Sequence, residues 1–281
     1  MKPPAPAHRL GRLILLTALG VAALVVAAYG LLPVAWRHYE HFKGLEGRPM
    51  ITRTFQGIPG DPINFGLVGS EANVFCAFRA AGWWAANPVT LASSLKIAGS
   101  VMTHRRYRAA PVSPLYYDGR REDLAFELPR GASASTRHHV RLWRVPNPGG
   151  PPGTPGAPDV WLGSASFDRG VGVSRYTLRV THHIDPDLDA ERGFLAGALA
   201  ATRLTTSRYE VSGAGPTVNG RNGGGDPYFT DGEVVIEALS PACQAAAGAP
   251  PTPLANPWQV TLKNRLWRAL RPVIQGLNKV F

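Results

Sequence analysis

Between Val160 and Arg192 the chain reads VWLGSASFDRGVGVSRYTLRVTHHIDPDLDAER. Its alternating side chains admit little besides a β-hairpin that runs into a helix. One strand opens it, the turn is expected at Phe167–Gly172, and a second strand returns to the pair His182–His183. Successive strand side chains point to opposite faces. Tyr176, Leu178, Val180, His182 and Ile184 therefore share an apolar face, and Arg175, Thr177, Arg179, Thr181 and His183 share the other. Asp185 then reads as a helix N-cap and Pro186 as the first helical position, with Asp187 and Asp189 favourably placed against the helix dipole.

A second pair, His138–His139, lies in RHHVRLWRV (Arg137–Val145), where Val140 and Leu142 mark the inward face. That reading turns His138 inward and Arg137, His139 and Arg141 toward solvent. If the two histidine strands are neighbours, their solvent faces pool two imidazoles with several guanidinium groups.

Three kinds of site fit these doublets. In the first, Arg137, His139, Arg141, Arg179 and His183 form an anion pocket able to bind or polarise a phosphate. His139 and His183 are then also the candidate acid–base groups of a hydrolase, with Arg141 or Arg179 stabilising developing charge. In the second, His182 or His183 is joined by Asp185 or Asp187 around a metal ion. In the third, His138 and His182 are packed core residues. A further loop, GGGDPYFTDG (Gly223–Gly232), is either a hairpin turning at Asp231–Gly232 or a ligand-closing loop that contributes Asp226 and Tyr228. The sequence leaves the cofactor, like the substrate, unknown.

Several motifs are excluded. The DPDLDAER run has the alternating acids of an EF-hand, but Ala190 stands where that loop needs glycine and Ala196 where it needs glutamate. The glycine-rich loop lacks the Gly-Lys-Ser/Thr ending of a P-loop. A net charge of +11, carried mostly by arginine, favours acidic partners such as anionic lipid headgroups or a phosphorylated ligand. Nucleic acid is disfavoured, because aromatic residues do not interleave with the basic ones as a stacking platform requires.

The organisation along the chain follows from composition shifts. Residues 1–12 form a basic leader with Lys2, Arg9 and Arg12. Residues 13–35 are almost wholly apolar, and about 20 such residues suffice to cross a bilayer. They are expected to be a transmembrane anchor, giving a single-pass protein of the bacterial inner membrane with a periplasmic domain. A connector follows over 36–56, then a domain over 57–239 with a disordered Pro/Gly loop at 146–158. A Pro/Ala linker spans 240–256. Residues 257–281 form a basic amphipathic helix suited to an anionic membrane surface or to docking on the domain itself. Cys76 is expected to be a buried small hydrophobe and not bridged to Cys243, which lies in the Pro/Ala tail. Two helices, strands in meander order, a later helix and a last strand make an α+β fold. It is mostly antiparallel sheet with two N-terminal helices and one later helix packed on it, plus the N-terminal transmembrane helix.

Taken together, GDPINFGLVGS, AGWWAANPVTLASSLKIA, APVSPLYYDGRREDLAFELP, RHHVRLW, WLGSASFDRGVGVS, THHIDPDLDAER and NGGGDPYFTDG resemble the LssY C-terminal domain family over Gly57 to Leu239. The resemblance rests on many motifs in one order. It implies a link to type I secretion, with secretion-system partners, and a module elsewhere joined to PAP2 phosphatase-like and DedA-type membrane regions. It carries over no catalytic residues. Any phosphatase residues of those fusions are expected to lie in their polytopic membrane half, in whose place one short anchor is expected here.

Overall fold

The computed structural model describes residues 6–27, 31, 48–87, 90–103, 107–132, 134–145, 158–211, 218–241 and 243–245, with scattered positions from 258 to 276. Two compact units are distinguished, Met1–Phe42 and Lys43–Phe281. The first holds helix α1 (Pro6–Val26), which begins inside the basic leader and includes Arg9 and Arg12. No helix among the described residues is long and apolar enough to cross a membrane, so the transmembrane helix expected over 13–35 is not supported. Residues 28–30 and 32–47 lie outside the described residues.

In chain order the second unit runs β1 (Ile51–Arg53), β2 (Pro59–Pro62), β3 (Phe65–Val68), α2 (Glu71–Ala80), β4 (Trp84–Ala85), α3 (Leu91–Thr103), β5 (Tyr116–Tyr117), β6 (Arg120–Arg121), β7 (Leu124–Pro129), β8 (Arg137–Val145), β9 (Val160–Val173), β10 (Val180–Ile184), α4 (Leu188–Ala201), β11 (Thr205–Val211), β12 (Val218–Arg221), β13 (Pro227–Thr230) and β14 (Val234–Leu239). An eight-stranded sheet has the order β11-β14-β3-β9-β8-β7-β4, with β10 added along the far half of β9. Its pairings are antiparallel apart from β14 with β3. The α+β expectation of a mostly antiparallel sheet therefore holds.

Helix α2 forms because Ser70 and Asn73 make a reciprocal capping box and because Val74, Ala77 and Phe78 recur at helical spacing and are buried. With α4 it covers one face of the sheet, over Phe65, Leu67, Phe126, Val140, Leu142 and Trp161. Helix α3 lies apart from that core; Ile97 packs on a smaller cluster of Tyr107, Ala110 and Ala134.

The opposite face of the sheet is also buried. There Leu115 and Tyr117 pack on Trp143, Val145, Leu162 and Ile236, and Tyr117 belongs to a four-stranded sheet, β2-β1-β5-β6. Strand β8 thus alternates between two interiors, which corrects the solvent face expected for Arg137, His139 and Arg141. All three are buried, at 2, 2 and 5% exposure.

The central hairpin is also shifted. Strand β9 passes straight through Phe167–Gly172 and ends at Val173; the chain reverses between Ser174 and Arg179, where Leu178 has φ 55°. Tyr176, Leu178 and Val180, expected to face inward, are exposed in and beside this turn. Helix α4 is capped by Asp187, which accepts the Ala190 N–H at 2.8 Å, so the cap lies two residues beyond Asp185. The glycine-rich loop forms the turn of a β12–β13 hairpin at Asn222–Asp226, while Asp231–Gly232 leads from β13 to β14.

Cys76 and Cys243 form a disulfide with their Cα atoms 6.0 Å apart, against the unbridged expectation. Residues 146–157 and 246–257 lie outside the described residues, as does much of 258–281, whose described positions are helical.

Candidate functional site

Strands β8 and β9 build the floor of the site by cross-strand pairing. Arg137 faces Asp168, His139 faces Ser166, and Arg141 faces Ser164. Directly opposed side chains lie within reach of one another, so a polar ladder runs up the buried face between the two interiors. Arg137 Nε donates to Asp168 Oδ2 and Nη1 to Glu127 Oε2, both at 2.8 Å. The same Nη1 reaches the carbonyls of Ala110 and Pro111. His139 Nε2 pairs with Asp168 Oδ1 at 3.0 Å. Arg141 donates from Nε to the Ser113 carbonyl at 3.0 Å and from Nη1 to Asp61 Oδ2 at 3.3 Å.

Arg137, His139, Arg141, Asp61 and Asp168 line a cavity of about 400 Å³, within the size range of small-molecule sites (~300–1,000 Å³). Its walls come from the Ser113–Leu115 segment, the Ser174–Thr181 turn and Asn222–Gly224. Arg137 and Arg141 are each held by Nε and Nη1, and among the described residues neither Nη2 has a partner or is wholly enclosed. Two guanidinium groups are thereby fixed in orientation with one amine left open. Arg179, on the exposed turn, lines the same cavity and makes no side-chain hydrogen bond or ion pair among the described residues.

The second histidine in the cavity is His182, not His183. The β9–β10 register shifts between His183, paired with Gly170, and Ile184, paired with Asp168. Arg169 is the extra residue of a bulge, which reverses the alternation beyond it. His182 and Ile184 consequently join Asp168 at the cavity. His183 lies over Gly172, where an added Cβ would sit 2.1 Å from its Nε2, and its Nδ1 pairs with Asp226 Oδ1 at 2.6 Å.

Asp226 also accepts the Ile184 N–H, so it staples the β12–β13 turn to β10. Tyr228 is buried with Ile184 and Leu188. Burial, then the charge of Asp61, pushes its hydroxyl up to about 12. Asp185 and Asp187 serve the start of α4. Among the described residues no group of three or more His, Cys, Asp or Glu is arranged to hold a metal ion.

Burial is the largest influence on these ionisable groups. It pushes Glu127 up to about 7, despite the Arg137 guanidinium and the N–H of Ala110. Asp168 is the reverse case: burial would raise it, but His139, then Arg137 and His182, hold it well below the carboxylate range. His182 is lowered, first by burial. Its Nε2 lies 3.0 Å from the Ala134 carbonyl, which can only accept, so Nε2 carries the proton and Nδ1 a free lone pair.

Reading the sequence alone missed Asp61, Asp168, Glu127 and Ser166. Asp168 had a signal: Ser164, Ser166 and Asp168 recur at every second position of WLGSASFDRG, placing one acid on a polar face.

Fold and site together define an α+β domain whose two buried layers enclose a cavity lined by arginine and histidine. The LssY C-terminus family matches residues 43–234, more than half of the chain, and the chain belongs to that family. No curated protein and no solved structure matches it.

Proposed function

We propose that the domain binds a small oxyanion in the cavity between β8 and the β9–β10 hairpin. One observation carries this reading. Arg137 and Arg141 line one cavity, are each anchored through Nε and Nη1 to protein acceptors, and keep an Nη2 amine without a partner among the described residues. Guanidinium groups fixed in this way bind carboxylate or phosphate oxygens without first losing side-chain freedom. Arg179 adds a cation at the mouth. Asp61 and Asp168 offset part of the positive charge, which suits a reversibly held ligand. Equilibrium dialysis with labelled inorganic phosphate tests the proposal. Arg141→Ala and Arg179→Ala should each weaken retention, and undiminished retention in both would remove the cavity as the site.

A hydrolase reading has one supporting observation: His182 lines the cavity, and its Nε2 faces the Ala134 carbonyl, which leaves Nδ1 as the acceptor nitrogen. It would make His182 the base in place of His139 or His183. Both ring nitrogens of His139 already face protein groups, Asp168 and Arg141. Release of phosphate from a chromogenic phosphomonoester, abolished in His182→Ala, would favour this second reading.

The location that accompanies the proposal is an oxidising compartment such as the periplasm. Its support is the Cys76–Cys243 bridge, since disulfides persist in such compartments and are rare in reducing ones. Alkylation of both cysteines in intact cells without reductant would contradict it.

A further inference from the structure

The cavity offers acceptors as well as donors, and the acceptors restrict which oxyanion fits. Asp61 is 4% exposed; its Oδ2 receives Arg141 Nη1 and the Ser166 hydroxyl, whereas Oδ1 takes no hydrogen bond from the described residues. The Nδ1 of His182 is likewise unpartnered, its tautomer set by the Ala134 carbonyl. Both residues line the cavity. An oxyanion with no proton brings only lone pairs to these two atoms, leaving them unsatisfied and, at Asp61, repelled. An oxyanion with its own O–H satisfies an acceptor while its other oxygens meet the guanidinium amines.

We infer that the cavity selects a tetrahedral oxyanion that carries an O–H donor, hydrogen phosphate being the simplest, and rejects sulfate. This deepens the proposed oxyanion function and rests on it. Sulfate has the same shape and a similar size, and it is fully deprotonated at neutral pH, so any preference between the two isolates the donor requirement. The phosphoryl group can belong to the free ion or to the end of a lipid.

The test is isothermal titration of the full chain at pH 7 with inorganic phosphate and, separately, sulfate. Phosphate should bind at least about tenfold more tightly, the worth of one hydrogen bond to a charged group. Asp61→Asn supplies an amide donor in place of a carboxylate oxygen and should narrow that ratio by raising sulfate affinity. If this variant fails to fold, His182→Asn serves the same purpose, and the wild-type ratio stands without either. Equal binding of the two anions by the wild-type chain overturns the donor requirement and leaves oxyanion binding intact. Absence of binding by both overturns the two together. Competition by a short-chain phosphatidate assigns the phosphoryl group to a lipid, and competition by inorganic phosphate alone assigns it to the free ion.

Discussion

The Nε2–H of His182 donates a hydrogen bond to the carbonyl of Ala134, 3.0 Å away and 48 residues earlier in the chain. One backbone oxygen thus decides which imidazole nitrogen carries the proton and which is the acceptor. The bulge at Arg169 decides that His182 and not His183 is at the cavity at all. Local chemistry and register together set the polarity of the site.

Among the described residues, Arg137 is the one cation shared by two buried acids on this face. It is 2% exposed and pairs with both Glu127 and Asp168. Removing one partner of a buried ion pair leaves an uncompensated charge and costs about 3–5 kcal/mol. Arg137→Ala should lose stability of that order in chemical denaturation, and Arg137→Lys a large part of it, since a lysine cannot reproduce the forked contacts.

Glu127 predicts a pH dependence of stability. Its folded value of about 7 lies above the model-peptide value of 4.5, so the folded state binds more protons across that window. Its stabilising contribution is full below pH 4.5 and is lost as pH rises through 7, with a total on the order of 3 kcal/mol. Glu237, also pushed by burial to about 7, shares the window. Denaturation at pH 4.5 and 7.5 should give a smaller difference for Glu127→Gln than for the wild type. Asp168, held low, acts in the opposite sense and loses its contribution as pH falls below 3.8.

The Cys76–Cys243 bridge closes a separation of 167 residues. Loss of a native disulfide typically costs about 2–5 kcal/mol. Cys76→Ser and Cys243→Ser should lower the denaturation midpoint equally, and the double variant should add little beyond either.

Gly172 leaves room for the His183 ring, which Asp226 holds from its other side. Gly172→Ala should cost about 1–3 kcal/mol through overpacking. The phosphate-binding constant should remain unchanged, because His183 does not line the cavity.

Strand β8 was legible residue for residue, because nine alternating positions carry a strong periodic signal. The same alternation did not reveal that both of its faces are buried. The second layer comes from β1, β2, β5 and β6, strands of only two to four residues, too short to carry a pattern. Arg137, His139, Arg141 and Arg179, grouped in the sequence on the supposition that the two histidine strands are neighbours, all line the cavity, but β8 and β10 do not pair with each other and each pairs with β9. The choice between His182 and His183 was not legible, since a one-residue bulge exchanges strand faces without marking composition. The disulfide was hidden by its long separation.

The central claim is that phosphate is held by arginines of this one cavity and not by the overall positive charge. Calorimetric titration of phosphate into wild type, Arg179→Ala and Arg144→Ala tests it most directly. Arg144 is an exposed arginine paired with Asp159 outside the cavity, so the two variants change net charge equally. The account predicts that Arg179→Ala weakens binding about tenfold, with an unchanged melting temperature, and that Arg144→Ala binds as the wild type does. Equal affinities in all three chains, or equal losses in both variants, would contradict it.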